Sequence, residues 1–253
     1  MDRNPMIHSQ QVLKRFSEAA SAYDGAARLQ QAMAWRLAKL CQRAAIPKGL
    51  WVDLGSGTGR LADALESCHP GQRVLRLDGS EAMLSRQPGA WTLKHDLSDG
   101  LPDWSPAPQL LASSFALHWL PDPARELQRW ITALPNQGWL ALAVPIAGSF
   151  PQWRQAANRS NQVCSAFTLP QREELVKAIA PGVIDCEECL NFTQRAQRPV
   201  DLLKPMTTIG ASITDNGRLT AGGWRQLLKA WPRERSSSAF ALTWRMLVLM
   251  VRR

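Results

Sequence analysis

The sequence predicts an α/β protein built around one mostly parallel β-sheet. Residues 51–147 alternate short apolar runs with amphipathic stretches, which is the pattern of strand–helix–strand units. A glycine-rich turn follows the first of these runs at once. The chain has 253 residues with 45% hydrophobic content, enough to bury a full core in one large domain or in a domain with an inserted cap. We favour a single domain over residues 1–253.

Each predicted element follows from local periodicity. Residues 9–45 have the apolar spacing of two helices, and we expect them to form an N-terminal helical cap. Residues 148–166 are polar, contain Trp153 and lack strand character, so we expect an inserted lid segment over the site. Strands are predicted at 50–54, 73–77, 91–93, 109–113, 139–145, 183–194 and 239–251. Further helices are predicted at 169–179, 200–212 and 219–231, the second interrupted by Pro205.

The stretch WVDLGSGTGRL, residues 51–61, places three glycines at alternate positions between the first strand and a helix. Glycine permits positive φ and lets a ligand approach the main chain. A dinucleotide-binding turn would have its third glycine one residue later. A P-loop would have Gly-Lys-Ser/Thr where this chain has Gly59-Arg60-Leu61. Phosphate is therefore not the expected ligand, and a tight turn without a ligand is the alternative.

Two acidic residues follow the next strands. Asp78 ends the apolar run 74–77, and a carboxylate at the tip of the second strand of a nucleotide-binding sheet accepts hydrogen bonds from ribose hydroxyls. Asp96 ends the third run, where it is suited to accept from an adenine amino group or to cap a turn. Together with the glycine turn, these residues predict a nucleoside site.

At these residues the chain resembles the class I methyltransferases, which bind S-adenosylmethionine. The resemblance rests on D-x-G-x-G-x-G at residues 53–59, on Asp78 followed by Ser80 and Met83, and on Asp96. It implies a Rossmann-like fold whose seven-stranded, mostly parallel sheet has an antiparallel last strand, together with helical lid elements. It implies no metal. The cofactor-binding residues that it implies are Asp53, Gly55, Ser56, Gly57, Gly59, Asp78, Gly79, Met83, Asp96, Leu97 and Ser113.

Nearly the whole chain is also similar to one family within this class, the malonyl-acyl-carrier-protein O-methyltransferases that open the pimelate branch of biotin synthesis. The similarity is carried by FSEAASAYDGAARLQ, SSFALHWLPDPARELQRW, GSFPQWRQA, LLKPMTTIGAS, LTAGGWRQLLKAWP and FALTWRML. Trans-aconitate methyltransferases share the LHWLPD-like stretch but not the leader or the ending. The chain departs from the family at Pro108-Gln109, where an acid is usual, and at Leu120-Pro121.

The family resemblance implies a carboxylate acceptor and a small set of residues around it. A malonyl carboxylate, with a pKa of about 4, is already ionised at neutral pH, so no general base is required. Tyr23, His118 and Trp119 are the candidate catalytic residues, although Tyr23 is alternatively a surface residue and His118 a structural one. Trp153, Arg154 and Arg159 are the candidate substrate or carrier contacts, and plain solvated arginines are the alternative for the last two.

The basic charge lies outside the cofactor half. Residues 51–150 carry seven Lys/Arg against ten Asp/Glu, whereas residues 195–253 carry eleven against three. Such a surface suits an anionic macromolecule, and with the resemblance it indicates an acidic acyl carrier protein. Nucleic acid is disfavoured because no RNA-binding module is recognisable. A basic solvated face without a partner is the alternative.

Other classes are disfavoured by composition. We expect a soluble, cytoplasmic protein, because MDRNPMIHSQ lacks the apolar core of a secretory leader and residues 246–251 are too few to span a bilayer. Five scattered cysteines fit a reducing compartment, and the pair Cys186 and Cys189 lacks the second pair of a zinc site. The alternative functions are methylation of a small free carboxylic acid or of RNA, and a non-catalytic, methyltransferase-like binding protein.

Overall fold

The fold is described from a computed structural model, which covers residues 5–211, 219–234 and 238–253, with side chains from Ser9 onward. Seven strands form one sheet: β1 Trp51–Leu54, β2 Val74–Asp78, β3 Thr92–Lys94, β4 Leu110–Ser114, β5 Trp139–Pro145, β6 Val183–Ala196 and β7 Phe240–Arg252. Their order is β3-β2-β1-β4-β5-β7-β6, and only β7 runs antiparallel to its neighbours. The predicted mostly parallel sheet with an antiparallel last strand is confirmed.

Ten α-helices surround the sheet in the described part of the chain. They are α1 Pro5–Ala19, α2 Tyr23–Ala26, α3 Arg28–Arg43, α4 Arg60–Cys68, α5 Glu81–Leu84, α6 Pro123–Ala133, α7 Pro151–Arg159, α8 Arg172–Lys177, α9 Pro199–Thr208 and α10 Ala221–Lys229. Local chemistry sets several of their starts. Asp122 caps α6 by accepting from the Arg125 amide at 3.0 Å, and Thr220 caps α10 by accepting from the Gly223 amide at 3.1 Å.

The sheet buries both of its faces, as a mostly parallel sheet must. On one face, Leu37 of α3 and Leu65 of α4 belong to the same core cluster as Trp51 of β1. On the other face, Leu127 and Trp130 of α6 pack in a second cluster that includes Val52 and Leu54 of β1. Alternate residues of one strand thus point to opposite layers, which is why the central strands read as continuous apolar runs.

The structure differs from the sequence predictions in two helical regions. Pro205 lies inside α9 without ending it, because the helix continues to Thr208 and the Ile209 amide still donates to the Pro205 carbonyl at 3.0 Å. The helix predicted at 200–212 is observed as Pro199–Thr208, residues 209–211 are not helical, and Ser212 lies outside the described residues. Residues 148–166 contain the helix α7, which the sequence does not indicate because its buried apolar positions are only Trp153, Ala156 and Ala157.

No helix in the described ranges combines the length and the apolar character needed to cross a membrane.

Candidate cofactor and acceptor site

The largest group of predicted site residues meets at the carboxyl ends of β1, β2 and β4. The strand order reverses between β1 and β4, and open α/β sheets bind ligands at such a switch point. A cavity of about 700 Å³, including its mouth, lies there. Its lining includes Gly55, Gly57, Asp78, Gly79, Met83, Asp96 and Leu97 from the predicted cofactor set, with Tyr23 and Trp119.

Asp78 anchors this cavity. Its Oδ2 accepts a hydrogen bond from the Gly57 amide at 2.8 Å, and its Oδ1 accepts from the Ser80 amide at 2.8 Å. Burial raises the pKa of Asp78 above its ordinary value, while the two amide bonds oppose that effect. The carboxylate thus joins the tip of β2 to the glycine turn and keeps lone pairs for a ligand hydroxyl.

The three glycines of the turn have different neighbours. A Cβ on Gly57, whose φ is +54°, would meet no atom within 4 Å, so this backbone faces open space. A Cβ on Gly55 would lie 2.3 Å from the Ala116 Cβ, and one on Gly59 would lie 2.3 Å from the Gln87 Oε1. Gly57 therefore has open space beside its α-carbon, whereas a side chain at Gly55 or Gly59 would clash with a protein neighbour.

Gln87 supports the turn from behind, although no sequence motif points to it. Its Nε2 donates to the Gly57 carbonyl at 2.7 Å, and its Oε1 accepts from the buried Arg76 at 3.2 Å. Arg76 in turn pairs with Asp63 at 2.9 Å and with Glu66 at 2.8 Å. No local motif marks this network, because its members lie on β2, α4 and the segment after α5.

Besides Gly59, three predicted cofactor residues do not line the cavity. Asp53 is 1% exposed and accepts from the Ala62 amide at 3.1 Å, so it holds the first turn of α4. Ser56 is buried, and Ser113 donates to the Leu54 carbonyl at 2.9 Å. The next residue, Ser114, borders the cavity instead, because successive side chains of a strand alternate between faces.

Helix α1 covers one side of the cavity. Ser9 donates to Asp96 at 3.0 Å, and Ser17 lies 2.8 Å from the hydroxyl of Ser80. A Cβ on Gly79 would lie 2.7 Å from a Leu13 methyl group, so the helix packs directly on the main chain after β2. Of the predicted cap, α1 and Tyr23 border the cavity, whereas α3 packs against α4 and the sheet.

The residues present fit S-adenosylmethionine. Asp78 offers a carboxylate to ribose hydroxyls, Gly57 leaves open space beside the main chain, and Met83 and Leu97 supply apolar surface for a base. Asp96 lines the same wall, although its carboxylate already accepts from Ser9 and from the Ser98 amide. Among the residues that the structure describes, no group of three or more His, Cys, Asp or Glu side chains could hold a metal ion.

A second, smaller chamber adjoins the cavity and has a volume of about 340 Å³, including its open side. Four aromatic residues, Phe16, Tyr23, Phe115 and Trp119, line both spaces. Phe115 has a φ of +59°, an uncommon conformation for a bulky residue and one that often marks a functional site. The other residues around the chamber are Gln30, His118, Phe167, Leu169, Ile209, Ala211 and Trp244.

The titratable groups of this chamber are neutral at neutral pH. Burial lowers the pKa of His118 to about 3, and its Nδ1 is buried without a hydrogen-bond partner. Burial and the charges of Asp78 and Asp24 raise the pKa of Tyr23 above its ordinary value. Both side chains can therefore donate a hydrogen bond, and neither is disposed to take a proton.

Tyr23 is held in place by its neighbour Asp24. The Asp24 carboxylate accepts from the Thr58 hydroxyl at 2.6 Å and from Arg60 Nε at 3.1 Å, which ties α2 to the glycine turn and to α4. Burial acts to raise the pKa of Asp24, but the hydrogen bonds from Arg60 and Thr58 outweigh it and leave the pKa below its ordinary value.

The predicted substrate contacts of residues 148–166 are not at either space. Trp153 is 5% exposed and packs 6.0 Å from Trp224 and 6.2 Å from Trp231, measured between ring centroids. Arg154 and Arg159 share its helix, which packs against β7 and α10. The segment is thus a core layer on the sheet, and the prediction of a substrate entrance at Trp153 is corrected.

The fold and this site define a class I methyltransferase that uses S-adenosylmethionine. Residues 26–179 match the model of the family described as methyltransferase domain, and the chain belongs to that family. It is 27% identical over 240 residues to malonyl-[acyl-carrier protein] O-methyltransferase of Neorickettsia risticii, covering 91% of this chain and 93% of that protein.

Two further comparisons give a partial sequence match and a match of the fold. Trans-aconitate 2-methyltransferase of Mycobacterium tuberculosis is 36% identical over 112 residues, which is 43% of this chain and 41% of that protein. The crystal structure of a candidate methyltransferase from Bacillus halodurans superposes with a TM-score of 0.60 at 17% identity, covering 85% of this chain and 97% of that one. The latter likeness concerns the fold alone.

Proposed function

We propose that this methyltransferase esterifies the free carboxylate of a malonyl group carried on acyl carrier protein, giving the methyl ester that starts pimelate synthesis for biotin. The observation that carries the proposal is the chamber beside the cofactor cavity. Its titratable lining groups in the described chain, Tyr23 and His118, are not disposed to take a proton at neutral pH.

This property favours an acceptor that is ionised before it binds. An amine or a hydroxyl must lose a proton during methylation, whereas a carboxylate with a pKa of about 4 is already a nucleophile. S-adenosylmethionine, when bound, supplies a methyl group activated on a sulfonium sulfur. The remaining task of the protein is to align the acceptor oxygen and to exclude water, and such positioning contributes roughly 7–11 kcal/mol in favourable cases.

We assign the residues of the chamber their roles from the neutral hydrogen-bond donors that they carry. Tyr23, His118 and the amide of Gln30 line the chamber and offer neutral hydrogen-bond donors to a carboxylate. Neutral donors orient the carboxylate without neutralising it, so its ground state is not stabilised at the expense of its reactivity. Trp119 packs at 5.5 Å from Phe16 and at 5.2 Å from Phe167 and would close the apolar wall between the two spaces.

The near full-length likeness to the Neorickettsia risticii enzyme supports a carrier-bound substrate. The test is a turnover comparison of malonyl carrier protein, malonyl-coenzyme A, free malonate and trans-aconitate, with mass spectrometry of the methyl ester. We expect the highest kcat/KM for malonyl carrier protein, by about tenfold or more. The Asp78→Ala variant serves as the control for activity that does not depend on the cofactor site.

Methylation of a small free carboxylic acid is the second candidate. It is favoured by the 36% identity to trans-aconitate 2-methyltransferase, although that match spans 43% of this chain. The same chamber chemistry suits it. A kcat/KM for free malonate or trans-aconitate that equals or exceeds the value for malonyl carrier protein would replace the first proposal with this one.

A further inference from the structure

An open groove lies beside the acceptor chamber at the carboxyl end of β6. Its walls are α2, the start of α3, the end of β6 and α9. Because β6 pairs antiparallel with β7, and β7 antiparallel with β5, the end of β6 lies at the same edge of the sheet as the cofactor site. The groove has a volume of about 1400 Å³, including its open side.

The groove and the chamber share their dividing walls. On α3, Leu29 lines the groove, and the next residue, Gln30, lines the chamber. At the end of α9, Thr208 lines the groove, and Ile209 lines the chamber. The groove and the chamber are therefore direct neighbours on the two sides of the start of α3 and the end of α9.

The lining of the groove combines apolar, amide and cationic groups. Its charged members are Arg28, Arg195, Lys204 and Asp201. Arg195 pairs with Glu234 at 2.8 Å, and Lys204 pairs with Asp201 at 2.8 Å. Arg28 is exposed and has no ion pair with the described residues, so its charge is available to an anion.

We propose that this groove holds the phosphorylated pantetheine arm of the acyl carrier, with the arm's phosphate against Arg28. The inference rests on the proposed function. The chamber, about 340 Å³ including its open side, has roughly a quarter of the volume of the groove on the same measure, so we place the short acyl end in the chamber and the longer arm in the groove.

The composition of the groove matches the chemistry of the arm. Pantetheine carries two amides and a branched apolar unit, which suit the Gln194 amide and the surfaces of Phe192, Leu202 and Pro205. Its single phosphate suits Arg28, because the other two cations of the groove are engaged by carboxylates. The groove thus distinguishes an arm with a phosphate from the same arm without one.

The experiment compares 4′-phosphopantetheine with pantetheine. NMR titrations of each into the protein saturated with S-adenosylhomocysteine give the two dissociation constants for wild type and for Arg28→Gln. We expect wild type to prefer the phosphorylated arm by about threefold to fivefold, and Arg28→Gln to lose that preference. Arg43→Gln is the matched control, since Arg43 is exposed at the other end of α3, about 22 Å away at 1.5 Å per residue.

Turnover of malonyl-phosphopantetheine and malonyl-pantetheine separates this inference from the proposed function. We expect Arg28→Gln to raise KM for the phosphorylated substrate alone and to leave kcat unchanged. Failure of wild type to methylate any malonyl thioester would refute the proposed function, while the binding comparison would still decide the groove. Equal affinity of wild type for both arms, or an unaltered preference in Arg28→Gln, overturns the groove assignment.

Discussion

Two carboxylates at the ends of neighbouring strands have different roles. Asp78 ends β2 and faces the cavity, where its carboxylate accepts hydrogen bonds from the amides of Gly57 and Ser80. Asp53 lies in β1 behind the turn, where it accepts a hydrogen bond from the Ala62 amide. Burial, opposed by that amide bond and by the charge of Arg76, raises the pKa of Asp53 to about 7. Asp78 is therefore the residue suited to ligand binding. Asp53 holds the first turn of α4, and its burial makes the charged carboxylate unfavourable in the folded protein.

Replacing Asp78 should weaken cofactor binding. Asp78→Ala removes a charged acceptor of the kind that contributes roughly 1.5–3 kcal/mol per hydrogen bond, so we expect at least tenfold weaker binding of S-adenosylmethionine by calorimetry. Asp99→Ala is the control, because Asp99 is exposed beyond Leu97. Unchanged affinity in Asp78→Ala would remove this residue from the site.

Asp53 should make stability depend on pH. Its folded pKa of about 7 exceeds the ordinary 3.8, so the stability it contributes is fully present below about pH 4 and is lost as pH rises toward 7. Urea unfolding at pH 5 and pH 8 should show wild type losing about 2–3 kcal/mol more than Asp53→Asn, which retains an acceptor for the Ala62 amide. Parallel losses in the two proteins would contradict the assignment.

At the scale of elements, the two segments predicted to cover the site behave differently. Helix α1 touches the loops after β2 and β3 through Ser9, Leu13 and Ser17. Helix α7 lies against β7 and α10, away from both spaces. Only α1 is placed to exclude water from a bound cofactor, and closing elements of this kind are commonly among the less stable parts of a fold.

Product cofactor should therefore protect α1 from hydrogen exchange. We expect slower amide exchange in residues 5–19 when S-adenosylhomocysteine is added, by about threefold or more, with little change in residues 151–159. The α7 segment is an internal control within the same protein. Equal protection of both helices, or none in α1, would count against a covering role for α1.

At the scale of the whole molecule, the fold distributes the basic residues of the carboxyl-terminal half between two edges of the sheet. Arg195 and Arg198 lie at or just beyond the carboxyl end of β6, on the side of the site. Arg252 ends β7 opposite Trp139, the first residue of β5, and so lies at the other edge. Arg218 is outside the described residues. A partner that delivers substrate would meet the first edge, not the second.

Charge reversal at the two edges of the sheet should show whether the carrier protein is attracted by a local basic surface or by the net charge of the whole protein. Arg198→Glu should lower kcat/KM for malonyl carrier protein several-fold at low salt, and the deficit should shrink as salt rises, because such attraction is screened within about 8–10 Å at physiological salt. Arg252→Glu changes the net charge equally and should have much less effect. Similar losses in both variants would exclude a localised carrier dock.

Much of the cofactor half could be predicted because its signals are local. The alternate glycines after an apolar run, and acids at the next two strand ends, are properties of short stretches, and seven of the eleven predicted cofactor residues line one cavity. The remaining four are Asp53, Ser56, Gly59 and Ser113, which hold the turn, the helix or the strand. In the sequence, these four residues cannot be told from ligand contacts, because the glycine turn needs residues that hold its backbone as well as residues that face the ligand.

By itself, the sequence determined the fold class, the strand positions, the cofactor and the methyltransferase family. The tertiary structure decided which distant residues meet: Gln87 behind Gly57, α1 over Gly79, and Gln30 with His118 in one chamber. It also placed Trp153 in the core, where the sequence predicted a substrate entrance. The physical reason is range, since periodicity and turn chemistry act between neighbours, whereas strand order and helix packing bring together residues far apart in the chain.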